Sequence, residues 1–418
     1  MPEQRKIHRR CFVKRSAAVI GMPFALKASV LGGAPGTAPS DRIVMGTIGL
    51  GGRGKHVMGV MLRTGQVQMV AVCDVRRDRR SAGKKIVDKF YESKDCKAYR
   101  DFRKLLLRED IDAVLIATGD NWHSLMSILA AKAGKDIYCE KPMSVTIAES
   151  RAVVQTVKRY GTVYQCGTQR RDVDRFRFAV QLARSGKLGQ LKELYAEKAP
   201  MKPEYQMRTL PPEPLPPVEE MDWDMWLGPA PWRPYNHGYY ARRFWGTHLD
   251  FSGGAITEWG SHTADLCQWA NDADDTTPVY YELARGTVVG TYANGVKLIF
   301  EKGKWPLHVR FVGTEGWVYA DDDGNVKAEP ASLIAGKKFG KGYPAEAHVL
   351  NFLRCVRTRE PPSSPAEVAH RSVSACHLAN ICRRLGRPVR WDPKLERFPD
   401  DPMADRLTAR AYRSPWRL

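Results

Sequence analysis

The stretch RIVMGTIGLGGRGKHVMGVML, residues 42–62, predicts a β-strand, a glycine turn and an α-helix. Gly49, Gly51 and Gly54 follow the apolar run with the spacing G-x-G-x-x-G. In this pattern the first glycine permits a tight turn, the second lets the backbone approach a pyrophosphate, and the third packs helix against strand. The helix N-terminus directs its N–H groups at the phosphates. The stretch therefore predicts a dinucleotide site, to which Gly52 and Arg53 also belong.

A second apolar run, VQMVAVCD, ends at Asp74, 20 residues after Gly54. An acid at this distance can accept hydrogen bonds from the ribose hydroxyls of NAD. The alternative is that Asp74 is only a turn residue at a strand end. Arg76 and Arg77 follow at once and could hold a 2′-phosphate, which leaves NADP open beside NAD.

Alternating strand and helix patterns continue to residue 166, which predicts a doubly wound parallel sheet over residues 41–166. In such a sheet, ligands bind beyond the carboxyl ends of the strands. The strand in DIYCEKP has to leave the sheet at Pro142, because proline cannot extend a central strand. The side chains predicted to line this edge, beside the glycine turn, are Thr118, His123, Glu140 and Lys141.

The second half, residues 167–395, is predicted to be an α/β domain. Residues 280–321 are rich in β-branched and aromatic side chains, and Asn294-Gly295 is a strong hairpin signal. Residues 396–418 are interpreted as a C-terminal tail. The segment 202–234 is a long Pro-rich insertion that contains three tryptophans, Trp223, Trp226 and Trp232. They could form a carbohydrate subsite or simply pack against another part of the protein, and the sequence leaves both open.

A second chemical cluster lies in GGAITEWGSHTADL, where a helix would place Glu258, His262 and Asp265 on one face. Zinc binding or a purely structural histidine are alternatives, but no third firm ligand is visible. We interpret His262 as a general base for oxidation of a secondary alcohol. Lys141 would stabilise negative charge on the substrate oxygen, unless it merely pairs with Glu140.

Several motifs together resemble the Gfo/Idh/MocA family, the group of glucose-fructose oxidoreductase and inositol dehydrogenase. They are IGLGGRG, CDV, DNWH, CEKP, GTQRR and GGAITEWGSHTADLCQWA. The resemblance implies an N-terminal Rossmann domain and a C-terminal α/β domain with an open, mostly antiparallel sheet that mediates oligomers, here a dimer or tetramer. It also implies that the site holds no metal, and that Glu258 and Asp265 belong to the active site with Gln169 and Arg170. Glu258 stands where the family normally has Asp, and Gly119 where it usually has proline.

The function implied by this resemblance is an NAD(P)-dependent oxidoreductase acting on a secondary alcohol of a sugar or polyol. One alternative is a redox-neutral, NAD-dependent enzyme that cleaves glycosides. In the hydrolase branch the position of Lys141 is occupied differently, which favours the dehydrogenase. Another alternative is a non-catalytic sugar- or dinucleotide-binding protein of the same fold.

Residues 1–40 differ in composition from the rest of the chain. They combine a basic start, a weakly apolar middle and a Gly/Ala/Pro-rich end, which is typical of an export signal. The segment RRCFVK, residues 9–14, resembles a twin-arginine signal and predicts a periplasmic protein. Lys27 interrupts an apolar stretch that is too short for a stable membrane span.

The net charge of +20 makes anionic partners conceivable. The basic residues are scattered, however, and no zinc-finger spacing or RNP motif occurs, so nucleic acid is not expected. An acidic sugar remains open. The nine cysteines form no CxxC pair and are interpreted as free thiols.

Overall fold

The computed structural model describes residues 41–198, 208–241, 244–284, 286–303 and 306–418. The predicted twin-arginine signal, with Arg9 and Arg10, lies outside these ranges, as does the first part of the predicted insertion. Residues 42–418 form one compact unit. Among the described residues, no helix is both long enough and apolar enough to cross a membrane.

The N-terminal half is a six-stranded parallel sheet. Its strands in chain order are β1 Ile43–Ile48, β2 Val67–Cys73, β3 Lys97–Tyr99, β4 Ala113–Ile116, β5 Asp136–Cys139 and β6 Tyr164–Cys166. They are arranged β3-β2-β1-β4-β5-β6, so the chain changes direction across the sheet between β1 and β4. The strands are mostly buried, as expected for a sheet covered on both faces. This order confirms the predicted Rossmann sheet and places its ligand-binding crevice at the ends of β1 and β4.

The connecting helices of this half pack on both faces of the sheet. They are α1 Gly52–Arg63, α2 Arg77–Tyr91, α3 Phe102–Leu106, α4 Asp120–Lys132 and α5 Ile147–Tyr160. α1 and α5 bury their apolar side chains along one face, whereas α4 is buried on nearly all sides.

The C-terminal half is built on an eight-stranded mixed sheet. Its strands are β7 Leu191–Lys198, β8 Tyr280–Ala284, β9 Thr287–Thr291, β10 Lys297–Lys302, β11 His308–Gly313, β12 Trp317–Asp321, β13 Val326–Glu329 and β14 Val389–Arg390. Their order is β13-β12-β11-β7-β10-β9-β8-β14, and all neighbours are antiparallel except the pair β7 and β10. The predicted, mostly antiparallel sheet is confirmed.

The helices of the second half cover one face of this sheet and also reach the N-terminal half. The helices are α6 Asp174–Arg184, α7 Trp223–Leu227, α8 Gly238–Ala241, α9 Gly254–Glu258, α10 Gly260–Ala270, α11 Glu346–Thr358, α12 Ala366–Leu385 and α13 Pro402–Asp405. α10 and α12 supply apolar residues to the core beneath β7 to β10. α11 instead packs against the N-terminal sheet, where Val349, Phe352 and Leu353 join the core of α1. The N-terminal core therefore also contains residues from beyond the predicted boundary at residue 167.

Residues 396–418 pack on both halves, although the sequence suggested only a tail. Phe398 and Ala404 belong to the core of the eight-stranded sheet. The Trp416 ring contacts the Trp122 ring edge to face, with 4.8 Å between ring centres. The Arg413 guanidinium pairs with Asp224 at 2.6 Å, and the Arg410 guanidinium pairs with Glu149 at 2.5 Å. These contacts make the segment part of the folded unit.

Residues 219–228, which we call the strap, run from the end of β2 to the start of α4. Near β2, the backbone N–H of Arg77 donates to Glu220 O at 2.8 Å, and Arg76 and Met221 form an antiparallel bridge. Near α4, the Trp122 indole N–H donates to Met225 O at 2.9 Å. The strap thus spans the crevice of the Rossmann sheet.

Candidate active site

A cavity of about 450 Å³ opens at the carboxyl ends of β1, β2, β4 and β5. It is lined by side chains from both halves of the chain. Eleven residues predicted for the site line it, namely Gly49, Gly51, Gly52, Arg53, Asp74, Thr118, His123, Glu140, Lys141, Glu258 and His262. The segments that the sequence singled out separately therefore meet in one place.

The glycine turn has the close packing that its pattern predicts. Gly49 has φ +91°, and a Cβ there would lie 2.4 Å from Ala117 O. A Cβ on Gly54 would lie 2.0 Å from Gly49 O, which only glycine avoids. Gly54 does not line the cavity and acts through this packing. Because the turn stays tight, the N-terminus of α1 faces the cavity and suits a pyrophosphate.

Asp74 stands at the end of β2, at the edge of the cavity. Its carboxylate accepts hydrogen bonds from the backbone N–H groups of Leu50, at 2.8 Å, and Arg76, at 2.9 Å. Burial raises the pKa of Asp74, while the charge of Arg79 and these hydrogen bonds oppose the shift. Arg79 and Arg100 also line this end, and the sequence analysis missed them because the glycine motif does not encode them. A carboxylate so placed fits the ribose of NAD.

The Glu140 carboxylate lies in the wall of the cavity and is held by two hydrogen bonds. Its Oε1 accepts from Arg53 Nε at 2.9 Å and from Gln169 Nε2 at 2.8 Å. Gln169 also donates to Tyr138 Oη at 2.9 Å and is fully buried. Gln169 therefore lies behind Glu140, and the prediction that it binds substrate is corrected to a supporting position.

Lys141 joins the end of β5 to the second half of the chain. Its ammonium donates to Glu258 O at 2.8 Å and lies 3.1 Å from Glu258 Oε1. It also lies 5.3 Å from the centre of the Trp259 ring. The partner of Lys141 is therefore Glu258, whereas Glu140, the partner considered from sequence, pairs with Arg53. The side chain is only 11% exposed, so this pair sits at the inner end of the cavity.

His262 faces the same inner end. Burial, followed by the positive charges of Arg170 and Lys141, lowers its pKa well below the usual range. The ring is therefore neutral near pH 7. Its Nδ1 is buried and has no hydrogen-bond partner within the described part of the chain. A neutral imidazole in this position can accept a proton.

His123 occupies another wall of the cavity. Its Nδ1 lies 2.7 Å from Pro142 O, and since a carbonyl only accepts, Nδ1 carries the proton. Burial lowers the pKa of His123 in spite of this hydrogen bond. Its Nε2 is then an acceptor, buried and without a partner among the described residues. His123 also ties α4 to the turn that carries Lys141.

Two predicted substrate-binding residues lie outside the cavity lining, and these interpretations are corrected. The Asp265 carboxylate accepts from Arg171 Nε at 2.7 Å and from Ser372 Oγ at 2.8 Å. Glu258 and His262 line the cavity, whereas Asp265, one turn further on, is buried against these two partners. Arg170 is buried and pairs with Asp322 at 2.5 Å. It reaches the site only through its charge on His262 and its contact with Tyr343, a cavity residue.

The cavity also has an aromatic wall that the sequence only partly indicated. Its members are Trp122, Trp226, Tyr240, Trp245, Trp259 and Tyr343. Trp226 stacks on buried Trp223 with 4.7 Å between ring centres and 9° between planes. Trp232 is 68% exposed and does not line the cavity. Of the three tryptophans in the insertion, one therefore faces the cavity and one supports it by packing.

The described residues bring three potential metal ligands close together only at Glu367, His370 and Glu396. Arg151 pairs with both carboxylates of this group, and Arg371 pairs with them too. The group therefore already has cationic partners, and its residues do not line the cavity.

The fold and the glycine turn define the class as a two-domain, dinucleotide-binding protein. Two family models match the chain. One is described as "Oxidoreductase family, NAD-binding Rossmann fold" and matches residues 43–168. The other is described as "Oxidoreductase family, C-terminal alpha/beta domain" and matches residues 204–418. The chain belongs to the Gfo/Idh/MocA oxidoreductase family, as the resemblance indicated, and the predicted cofactor NAD is confirmed for its N-terminal domain.

Curated relatives match mainly one part of the chain. A "Glycosyl hydrolase family 109 protein" of Stenotrophomonas maltophilia is 31% identical over 199 residues, 45% of this chain and 41% of that protein. An inositol 2-dehydrogenase of Salmonella typhimurium is 30% identical over 148 residues, 35% of this chain and 42% of that protein. The chain thus spans less than half the length of these relatives.

Among solved structures, scyllo-inositol dehydrogenase from Lactobacillus casei with NAD(H) and scyllo-inositol superposes with a TM-score of 0.59. The identity is 16%, over 84% of this chain and 99% of that one. This similarity shows a shared fold.

Proposed function

We propose that the protein is an NAD-dependent oxidoreductase that transfers hydride between nicotinamide and a secondary alcohol of a sugar or polyol. The observation that carries this proposal is that Lys141 and His262 line the same cavity as the glycine turn. NAD, when bound, supplies the hydride acceptor. The chain's own residues must then orient the alcohol, stabilise its oxygen and take up its proton.

Lys141 and Glu258 would hold the reacting oxygen. An ammonium has three donors, and Glu258 accepts from it at its carbonyl and its carboxylate. One donor is left to bind the substrate oxygen and stabilise its developing negative charge. Glu258 thus positions Lys141, and its extra methylene relative to Asp suits this pairing.

His262 would be the proton acceptor. Its ring is neutral and lines the cavity, so a substrate hydroxyl can donate to it. The nearby charges of Lys141 and Arg170 weaken it as a base in the ligand-free protein. An alkoxide forming beside Lys141 offsets that positive charge and makes proton uptake easier.

A second candidate is redox-neutral glycoside cleavage. It is favoured by His123, a cavity residue whose unprotonated Nε2 has no partner among the described residues and offers a second acid–base group. Elimination of a glycosidic oxygen needs such a group besides the base that serves oxidation. The name of the glycosyl hydrolase family 109 relative is consistent with this chemistry.

The deciding experiment is a screen of sugars, polyols and aryl glycosides with the purified full-length chain. Absorbance at the NADH wavelength and released aglycone are followed together. Stoichiometric NADH or a reduced second substrate supports the oxidoreductase. Aglycone release with no net change in NAD supports cleavage. Binding of sugar without either product, in protein that holds NAD, would contradict both.

We also propose that the chain is exported by the twin-arginine route with its dinucleotide already bound. The support is RRCFVK at residues 9–14 and the strap, whose ends are fixed on β2 and α4 across the cavity. Because the strap would slow cofactor release, near-stoichiometric NAD is expected in the supernatant of freshly purified, denatured protein. Replacing Arg9 and Arg10 by lysine should retain the protein in the cytoplasm. Wild-type periplasmic levels of that variant would exclude this route.

We propose, finally, that the chain forms a homo-oligomer through the eight-stranded sheet. Tyr195 and Arg310 lie on neighbouring strands, and the Arg310 guanidinium lies 3.9 Å from the centre of the Tyr195 ring. Light scattering after size-exclusion chromatography tests this, and Arg310→Glu should shift a dimer or tetramer towards monomer. A wild-type chain that elutes as a monomer at all concentrations would contradict it.

A further inference from the structure

Several arginines surround the end of β2, where the ribose of NAD is expected. Arg76, Arg77, Arg79 and Arg80 follow Asp74 within six residues, and Arg100 lines the cavity nearby. Clusters of this kind commonly bind the 2′-phosphate of NADP. Whether they can do so here depends on what each guanidinium already contacts.

Arg76 is held by a carboxylate two residues further along the chain. Its Nε donates to Asp78 Oδ1 at 3.0 Å and its Nη2 to Asp78 Oδ2 at 2.6 Å. The guanidinium also lies 4.6 Å from the centre of the Tyr240 ring. Partial burial acts the other way, but the hydrogen bonds from Arg76 lower the pKa of Asp78, so the pair is ionic at neutral pH. Two donor groups on one edge of the Arg76 guanidinium are therefore already occupied by Asp78.

Two neighbouring arginines are held by the strap. Arg100 pairs with Asp222 at 3.4 Å and with Glu219 at 3.7 Å. Arg80 donates to the backbone oxygens of Asp74 and Val75, each at 3.4 Å, and to Glu219 O. At the ribose end, Arg76 is thus paired with Asp78, and Arg100 is paired with the carboxylates of the strap.

We propose that Asp78 is a second determinant of cofactor selectivity, which acts by holding Arg76 away from a 2′-phosphate. Asp74 excludes the phosphate directly, by repulsion at the ribose. Asp78 acts through Arg76, and its own negative charge adds to the repulsion. The two carboxylates together make the protein select NAD over NADP. This inference rests on dinucleotide binding and is independent of which alcohol or glycoside reacts.

The two effects differ in size. Asp78 is well exposed, with 64% of its side-chain surface accessible, so its pair with Arg76 is screened by solvent. Asp78→Asn alone should therefore raise NADP affinity by about two- to fivefold. The gain should be larger in an Asp74→Ser background, because the phosphate can then approach the Arg76 that Asp78→Asn releases.

The chain provides a matched control. Arg108 and Asp110 form the same two-residue, two-bond pair, with 2.9 Å from Nε to Oδ1 and 2.5 Å from Nη2 to Oδ2. Asp110 precedes β4 and therefore lies at the amino-terminal edge of the sheet, opposite the cavity. Asp110→Asn removes an equivalent charge and ion pair far from the ribose.

The test is the displacement of a fluorescent NAD analogue by NAD and by NADP, on the full-length chain. The single variants are Asp78→Asn, Asp110→Asn and Asp74→Ser. Asp78→Asn and Asp110→Asn are each also combined with Asp74→Ser, and the variant of Asp74 and Asp78 is further combined with Arg76→Ala. We expect Asp78→Asn to improve NADP affinity with NAD affinity nearly unchanged, and Asp110→Asn to change neither. The further gain of the variant of Asp74 and Asp78 over Asp74→Ser alone should disappear with Arg76→Ala.

Two results would overturn the proposal. One is an NADP-to-NAD affinity ratio for Asp78→Asn equal to that of Asp110→Asn in both backgrounds. The other is a gain that survives Arg76→Ala, since Asp78 would then act only by its own charge. Circular dichroism of each variant shows that the comparison is made between folded proteins.

Discussion

The two ends of the cavity are built in different ways. The cofactor end is made of residues close together in the sequence, from Gly49 to Gly54 and at Asp74, and most of its contacts involve backbone groups. The substrate end joins Lys141, at the end of β5, to Glu258 and His262 on helices of the second half. The cofactor end depends on one unbroken supersecondary unit, whereas the substrate end exists only when both halves are folded together. Substitutions at the cofactor end should therefore change NAD affinity, and substitutions at the substrate end should change kcat.

The largest effect is expected at the substrate end. Lys141→Ala and His262→Ala should each lower kcat by on the order of 10² to 10⁴, since charge stabilisation and proton transfer are lost. NAD affinity should change little. The measurements are steady-state kinetics with a substrate from the screen and NAD titration of the same preparations.

Lys135→Ala is the control for this comparison. Lys135 is also a buried lysine that donates to backbone carbonyls, those of Arg108 at 2.6 Å and Ile111 at 2.9 Å. It precedes β5, at the edge opposite the cavity. This variant should lose stability but keep its turnover per folded molecule. Near-normal turnover of His262→Ala would remove His262 as the base.

The next largest effect is expected for Gly54, which supports the glycine turn by packing and does not line the cavity. In Gly54→Ala the new Cβ would lie 2.0 Å from Gly49 O, so the turn has to shift. Overpacking of this kind costs about 1–3 kcal/mol, which corresponds to a loss of NAD affinity of roughly 5- to 150-fold if the shift is taken up by the turn. At Gly59, in the same helix but outside the cavity lining, a Cβ would meet only Arg63 Nη1, at 3.4 Å, so Gly59→Ala should bind NAD almost normally. Equal losses in both variants would contradict the packing role of Gly54.

A smaller change is expected at the ribose. Asp74→Ala should weaken NAD by roughly tenfold and shift the preference towards NADP, because a carboxylate repels a 2′-phosphate. Thermal shift with each dinucleotide gives an independent reading of both affinities. If both affinities match those of the wild type, Asp74 does not contact the ribose.

The smallest effect compares two buried histidines. Burial lowers the pKa of His377 to about 3, and it also lowers the pKa of His262. In the unfolded chain these histidines bind a proton near pH 6.5, whereas in the folded protein they stay neutral to a lower pH. The free energy of unfolding therefore falls as the pH drops below about 6.5. For His377 this loss continues to about pH 3. His377→Gln should flatten this acid limb in urea titrations at several pH values.

Substitutions of His377 and His262 should also differ in their effect on kcat. His377 contacts Ser144 Oγ at 3.2 Å and is not a cavity residue, so His377→Gln should leave kcat unchanged at pH 7. His262→Gln should lower kcat. Loss of activity in both variants at equal folded fraction would contradict the division between them.

The sequence predicted the glycine turn, Asp74 and the turn after β5 because their spacing is local. It did not predict the partner of Lys141, since Glu258 lies more than a hundred residues away and only the packing of the two halves brings them together. The assignment of Asp265 to the site is wrong because helical spacing does not encode the partner that a side chain meets. Asp265 pairs with Arg171, which lies 94 residues away in the sequence. Arg79 and the aromatic wall were missed because no short motif encodes them.

The route of the last segments has a consequence for biosynthesis. α11 and Trp416 complete surfaces of the N-terminal sheet, yet the ribosome makes them after nearly the whole second half. During translation the first half would emerge with apolar surface on Val57, Met61 and Trp122 that its own residues do not cover. The nascent chain should therefore need a chaperone until late in synthesis, and a fragment that stops at residue 168 should aggregate when expressed alone.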